Sequence, residues 1–337
     1  MSAPAAATPP TLAVRGLTVE IATPAAPVRP VEDFSLTVEP GEIAGLVGES
    51  GSGKSMAMRA VSGLLPPRVA RIAGGEVLLS GRDLVPLGPA AMRSVRGREI
   101  AMIFQNPSSY LDPLMTVGKQ AAEPLRIHRG LNRREARAEV IELFRRVGIR
   151  EPERQVDRFP HQFSGGMKQR VLIAAALACE PKLLIADEPT TALDVTIQKQ
   201  ILALLRRLRD DIGISVVFIT HDLGIVSEIC DSVTVMYAAR VAERAPTPEL
   251  LTQPAHPYSR GLILSQPDAA PRDRPLPSIP GQPPPLASLP GGCRFHPRCP
   301  HGADVCRSTL PPLVATRPGH SNACLRWREL PAFEAFA

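Results

Sequence analysis

Apolar residues in this chain fall into short blocks set off by turn-forming residues. Residues 43–47, 183–186 and 215–220 are compact, mostly apolar runs. That is the length and texture of strands buried on both faces. Residues 17–21 and 34–38 read as further strands, with Pro40-Gly41 marking a turn. Helical spacing covers 132–147, with heavy Arg and Glu content, and 167–178. It also covers 196–209, where Ile197, Ile201, Leu204 and Leu208 recur on one face. A helix is expected from Lys54 to about Leu65, stopped by Pro66-Pro67. Strand–helix–strand alternation of this kind predicts a parallel sheet with helices packed on it. A helical block over about 115–180 interrupts the alternation.

The pattern changes after Pro246, where about half of the chain's 37 prolines lie. Long helices and central strands are not expected there. The region reads as a loop-rich appendage with its cysteines as the only visible staple. Residues 1–10 read as a disordered leader. They lack the basic and apolar regions of a secretory signal. The longest apolar run, 171–179, is far shorter than the ~20 residues that span a bilayer. The expectation is a soluble, cytoplasmic chain that relies on another subunit for any membrane-spanning part. A net charge of +6 without a dense basic block interleaved with aromatics makes nucleic acid an unexpected partner. Aromatics are only 4% of residues, so the core must be built mainly from aliphatic side chains.

Candidate chemistry begins at Gly48-Glu49-Ser50-Gly51-Ser52-Gly53-Lys54-Ser55. It matches the phosphate-binding pattern G-x-x-x-x-G-K-[ST] between an apolar strand and a helix. Glycines permit a wrap in which backbone N–H groups face phosphate oxygens, and the following helix points its positive end at them. Lys54 is expected to reach the outer phosphates and Ser55 to ligate Mg²⁺. The run 183–186 ends in Asp187-Glu188, which places two carboxylates at the carboxyl edge of a sheet. Asp187 suits Mg²⁺ and Glu188 suits the attacking water. Ser164-Gly165-Gly166 opens a helix and forms a second anion cradle of N–H groups and a hydroxyl. One chain needs one nucleotide cradle. A second implies that it caps the terminal phosphate held by another subunit.

Phe163-Ser164-Gly165-Gly166-Met167 resembles the LSGGQ signature of ATP-binding-cassette (ABC) ATPases, with Phe for Leu and Met for Gln. Other elements follow in that family's order. Gln105 matches the Q-loop, sensing Mg²⁺ and the attacking water. Ala192-Leu193-Asp194 matches the D-loop at a dimer seam, and His221 matches the switch histidine that contacts the γ-phosphate. The resemblance implies an α/β fold, the P-loop NTPase ABC cassette, over 11–250. That fold has a parallel-sheet RecA-like core, an antiparallel β subdomain and a helical subdomain at about 115–180. The family's adenine-stacking aromatic, near the end of the first strand, is replaced by Ile21.

The stretch 157–167, Ala122-Glu123-Pro124-Leu125, His256-Pro257-Tyr258, Ile279-Pro280-Gly281 and Cys293-Arg294-Phe295-His296-Pro297-Arg298-Cys299 resemble the oligopeptide and dipeptide permease branch. That branch carries a C-terminal extension, here 251–337. Cys293, Cys299, Cys306 and Cys324 are spaced C-x5-C-x6-C-x17-C. Four thiolates hold either Zn²⁺ or an iron–sulfur cluster. The gaps are loose for zinc pairs and suit a larger cluster, and the resemblance implies 4Fe–4S. It further implies ATP and Mg²⁺ as cofactors and a second ABC ATPase subunit, expected to be a paralogue in a heterodimer. Two polytopic permease subunits and an extracytoplasmic solute-binding protein complete the assembly, with this chain peripheral on the cytoplasmic face of the inner membrane. The expected activity is ATP hydrolysis driving import of short peptides. The rival readings are the same importer with nickel or another small solute as cargo, or an ABC ATPase that moves no solute.

Overall fold

The structure, a computed structural model, describes residues 8–191, 193–266 and 277–334. Its strands are β1 (Leu12–Ile21), β2 (Val28–Val38), β3 (Ile43–Val47), β4 (Ala70–Leu79), β5 (Arg82–Asp83), β6 (Ile100–Ile103), β7 (Leu183–Asp187), β8 (Ser215–Thr220), β9 (Ser232–Tyr237), β10 (Arg240–Pro246), β11 (Val314–Arg317) and β12 (His320–Asn322). The helices of eight residues or more are α1 (Lys54–Val61), α2 (Arg133–Arg146), α3 (Gly165–Leu177), α4 (Val195–Ile212) and α5 (Pro257–Leu264). Among the described residues no helix is long and apolar enough to cross a membrane. The chain folds as two compact units. One comprises Met1–Ala13, Thr37–Glu42 and Leu78–Phe218; the other comprises Val14–Leu36, Ile43–Val77 and Ile219–Ala337.

In the first unit β6 and β7 run parallel, with Ile100 opposite Leu183 and Ile103 opposite Ala186. β7 is buried along its whole length, as an all-apolar central strand requires. β8 is its other neighbour. Parallel strands put their carboxyl ends on one edge, so Gln105 and the Asp187-Glu188 pair emerge together. α2 opens with a capping box: Asn132 accepts from the N–H groups of Arg134 and Glu135, and Glu135 reaches back to Asn132. α4 is capped by Asp194, which accepts from Ile197 N at 3.0 Å, and buries Ile201, Leu204, Leu205 and Leu208. Of the aliphatic stripe read from the sequence, Ile201, Leu204 and Leu208 are buried and Ile197 is half-buried; α4 runs three residues further, to Ile212.

In the second unit β3 and β9 are parallel, and β9, β10, β12 and β11 continue the sheet by antiparallel pairing. β2, β1 and β4 neighbour one another in a separate sheet. β3 is buried throughout and leads directly into the Gly-rich loop and α1. α1 ends at Val61, earlier than the Pro66-Pro67 stop. The Ser62 hydroxyl donates to Met58 O, and the Leu64 N–H reaches back to Arg59 O, closing the last turn.

The Pro-rich tail is more structured than its composition indicates. β12 needs only three residues free of proline, and it pairs with β10 through Glu243–Asn322 and Arg244–Ser321. Behind that pairing the Glu243 carboxylate is fully buried. It accepts from Ala255 N, His256 N and His320 Nε2, the last at 2.7 Å. Phe295 packs edge-on to Tyr237 at 5.2 Å and lies 5.4 Å from Tyr258, forming an aromatic cluster with His256. Buried Arg294 pairs with Glu32 at 2.6 Å. A chain poor in aromatics concentrates several of them where the tail docks.

Candidate nucleotide and signature sites

The Gly loop shows why its sequence is constrained. Gly48 has φ 149°, and a Cβ there would lie 2.1 Å from the Met236 carbonyl oxygen, so only glycine fits. Lys54 is buried, and its Nζ donates to Gly48 O (2.7 Å), Glu49 O (2.9 Å) and Ser52 Oγ (3.4 Å). The ammonium thus sits inside the curl of the loop. Ser50 and Gly51 are exposed at its tip and Ser55 is half-buried. A backbone that only glycine permits at residue 48, a lysine held at the centre and a helix opening from the loop fit a polyphosphate with Mg²⁺.

Glu49 is the loop's one acidic residue, and it is tightly held. Its N–H donates to Tyr258 Oη at 2.9 Å. Its carboxylate takes a two-pronged salt bridge from Arg298, Nη1–Oε2 2.7 Å and Nη2–Oε1 2.9 Å. Arg298 Nε donates to Pro280 O at 2.8 Å, and its guanidinium lies over the Tyr237 ring. The Glu49 hydrogen bonds hold the guanidinium firmly charged. Burial pushes the Tyr258 hydroxyl pKa well above its ordinary value, keeping it neutral and able to accept the Glu49 N–H. Sequence reasoning placed Glu49 in the loop and missed this partner. The available signal was chemical: a carboxylate in an anion cradle calls for a counter-charge.

His221 is exposed, directly after β8. The next residue, Asp222, caps the following helix by accepting from Gly224 N at 2.8 Å. Ile21 is half-buried at the end of β1.

In the first unit, Asp187 is buried at the end of β7. Glu188 follows in a left-handed conformation, φ 47°, uncommon for a residue with a side chain. Gln105 Nε2 donates to its Oε2 at 2.6 Å and Thr191 Oγ1 to the same oxygen at 2.9 Å. The Q-loop glutamine and the catalytic carboxylate of the sequence reading are thus hydrogen-bonded. Ser164 and Gly165 are exposed at the amino end of α3, where Ser164 Oγ accepts from Met167 N. Gly166 is buried, and a Cβ there would lie 2.5 Å from Ile197 Cγ2. The second glycine therefore also lets α3 approach α4. Asp194 caps α4, as noted; Ala192 lies outside the described residues, as do residues 1–7 of the expected leader.

Beside the helices of this unit lies a groove of about 570 Å³ lined by Met115, Thr116, Lys119, Glu123, Arg126 and Arg137, among others. Leu114 is 85% exposed and Ile127 61%.

Cys293, Cys299, Cys306 and Cys324 are free thiols. Burial raises the pKa of Cys293, Cys299 and Cys324, the last to about 11, and neighbouring thiols of the same set raise each further. The four therefore share one neighbourhood. Among the described residues, however, no three or more His, Cys, Asp or Glu side chains are gathered as a metal site. The strand pairing, aromatic cluster and ion pairs described above also hold the tail.

Comparison with known proteins agrees with this geometry. The family described as "ABC transporter" matches residues 31–191, and "Oligopeptide/dipeptide transporter, C-terminal region" matches 242–306. A putative peptide import ATP-binding protein of Brucella ovis is 46% identical over 334 residues, covering 96% of this chain and 99% of its own. The oligopeptide transport ATP-binding protein OppD of Salmonella typhimurium is 46% identical over 315 residues, covering 94% of this chain and 93% of its own. Among solved structures, the dimeric post-hydrolysis state of an ATP-binding cassette with ADP and phosphate is 27% identical. It aligns with a TM-score of 0.63 over 70% of this chain and 98% of that one.

Proposed function

The chain belongs to the ABC transporter family, in the branch that carries the oligopeptide/dipeptide transporter C-terminal region, and from that premise we propose that it is the ATP-hydrolysing subunit of an importer of short peptides. The observation that carries this reading is the pairing, in one polypeptide, of a lysine-centred Gly loop with an exposed Ser164-Gly165 helix start. The first is a phosphate cradle. The second is a cap that needs a phosphate held elsewhere. A partner subunit supplies it, a paralogue in our reading. The roles expected of Lys54, Ser55, Asp187, Gln105, Glu188, His221 and Asp194 are part of this proposal. Mg²⁺, when bound, neutralises charge on the transferring phosphate. Gln105 and Thr191 hold the Glu188 carboxylate in place through its Oε2.

The groove at Met115–Arg137 and the exposed Leu114 and Ile127 suit docking of permease subunits, which we place in the membrane with this chain peripheral on its cytoplasmic face. Purification through a tag on this chain tests the assembly. Co-purification of polytopic membrane proteins and ATP turnover stimulated by a peptide-loaded binding protein support it. Recovery with ribosomes or DNA would reject it, and stimulation by nickel alone would change the cargo.

Within the same reading, the four tail thiols are the ligand set of an iron–sulfur cluster or of zinc. Their support is the donor type and their mutual electrostatic influence. The absorbance spectrum of anaerobically purified protein tests this: a colourless preparation with stoichiometric zinc rejects iron, and one with neither metal rejects both.

A further inference from the structure

We propose that Arg298, in the C-terminal extension, is a positioning residue of the ATP site: it neutralises and anchors Glu49 of the Gly loop, so that ATP affinity depends on the docked extension. The inference rests on the ATP-binding reading above and deepens it.

A triphosphate brings several negative charges to residues 48–55, and a free carboxylate at Glu49 would oppose them. At about 10 Å and an effective dielectric of about 20, one uncompensated charge changes binding by about tenfold. Arg298 removes that opposition. Its side chain is only 5% exposed, against 27% for Glu49, so solvent screens the pair little. The guanidinium is itself oriented from outside the loop, by Pro280 O and the Tyr237 ring. Tyr258, also of the tail, fixes the Glu49 backbone N–H. The same Glu49 supplies the carbonyl that holds Lys54 Nζ at 2.9 Å. Side chain, N–H and carbonyl of one loop residue are therefore tied to the extension on one side and to the phosphate-binding lysine on the other. The pair spans 249 positions of sequence, so the extension acts on the loop through space.

The geometry accounts for a carboxylate inside an anion cradle: Glu49 is tolerated because Arg298 is there. It makes the His296–Arg298 turn, which lies between Cys293 and Cys299, a lever on nucleotide binding. Loss of the pair should weaken binding of MgATP while leaving the turnover of saturated enzyme near its starting value, because neither residue is placed at the reacting atoms.

Full-length protein, wild type, Arg298→Met, Glu49→Gln and the Glu49→Gln/Arg298→Met double variant, titrated with MgATP, tests this. Arg298→Met is expected to bind about tenfold more weakly, with KM raised in step and kcat changed less than about twofold. The double variant is expected to recover most of the lost affinity, since no carboxylate remains to be neutralised. A merely structural arginine would not be rescued by Glu49→Gln. Unchanged affinity in Arg298→Met, or no recovery in the double variant, overturns the proposal. Arg298→Gln, read against the same two outcomes, replaces Arg298→Met should that variant fail to fold. Wild type and Lys54→Ala in the same titration separate the two levels: a wild-type protein that binds no MgATP, or Lys54→Ala binding it as tightly as wild type, sinks the ATP reading itself, whatever Arg298 does.

Discussion

At the scale of single residues, Glu188 carries the sharpest expectation. It stands after a buried apolar strand, in a left-handed backbone conformation, with one carboxylate oxygen held by Gln105 and Thr191. Glu188→Gln keeps the shape and removes the carboxylate that the proposed function makes the base. ATP hydrolysis should fall by about 10²–10⁴-fold while MgATP affinity stays within about twofold, read by phosphate release and equilibrium titration. Gly166 makes a different prediction. Its missing Cβ is what lets α3 meet Ile197 of α4, so Gly166→Val should destabilise the fold by about 1–3 kcal/mol in urea unfolding. Asp187-Glu188, Ser164-Gly165-Gly166 and Lys54 were all legible in the sequence because each motif is local and carries its own mechanism. Arg298 was not, since its partner is 249 residues away and an isolated arginine gives no local signal.

At the scale of elements, periodicity located β3, β7, β8, α2, α3 and α4 to within a few residues, because each has a continuous apolar face. It failed on β11 and β12. Strands of four and three residues are too short to show a period, and proline counting argued against them. Their role is energetic: β12 brings His320 to the buried Glu243. His320→Leu leaves that carboxylate buried with only two backbone N–H partners. It should lower stability by about 3 kcal/mol, measured by urea denaturation. His256, at the start of α5, gives a pH dependence. Burial holds its folded pKa down at about 4, against an ordinary value of 6.5, and its neutral Nδ1 accepts the Tyr258 N–H at 3.0 Å. Below 6.5 the unfolded chain takes up a proton that the folded chain refuses. The contribution of His256 is therefore intact above pH 6.5 and is lost as pH falls towards 4. His256→Asn, which can still cap α5, should flatten the stability–pH slope in that window relative to the wild type.

At the scale of the whole molecule, the family reading required two anion cradles in one chain, and the structure supplies a Gly loop closed around Lys54 and an exposed helix start at Ser164. The Pro- and Cys-rich tail looked from composition like an appendage in need of a metal. Phe295, Arg294 and Arg298 also hold it against the Gly loop and its neighbouring strands, through contacts that composition cannot encode. The measurement that bears most directly on the central claim is the fate of nucleotide in the complex purified through this chain. The account predicts steady peptide-stimulated conversion of ATP to ADP in the wild type, and in Glu188→Gln a complex that retains ATP unhydrolysed. ATP turned over at the wild-type rate by the Glu188→Gln complex would contradict it.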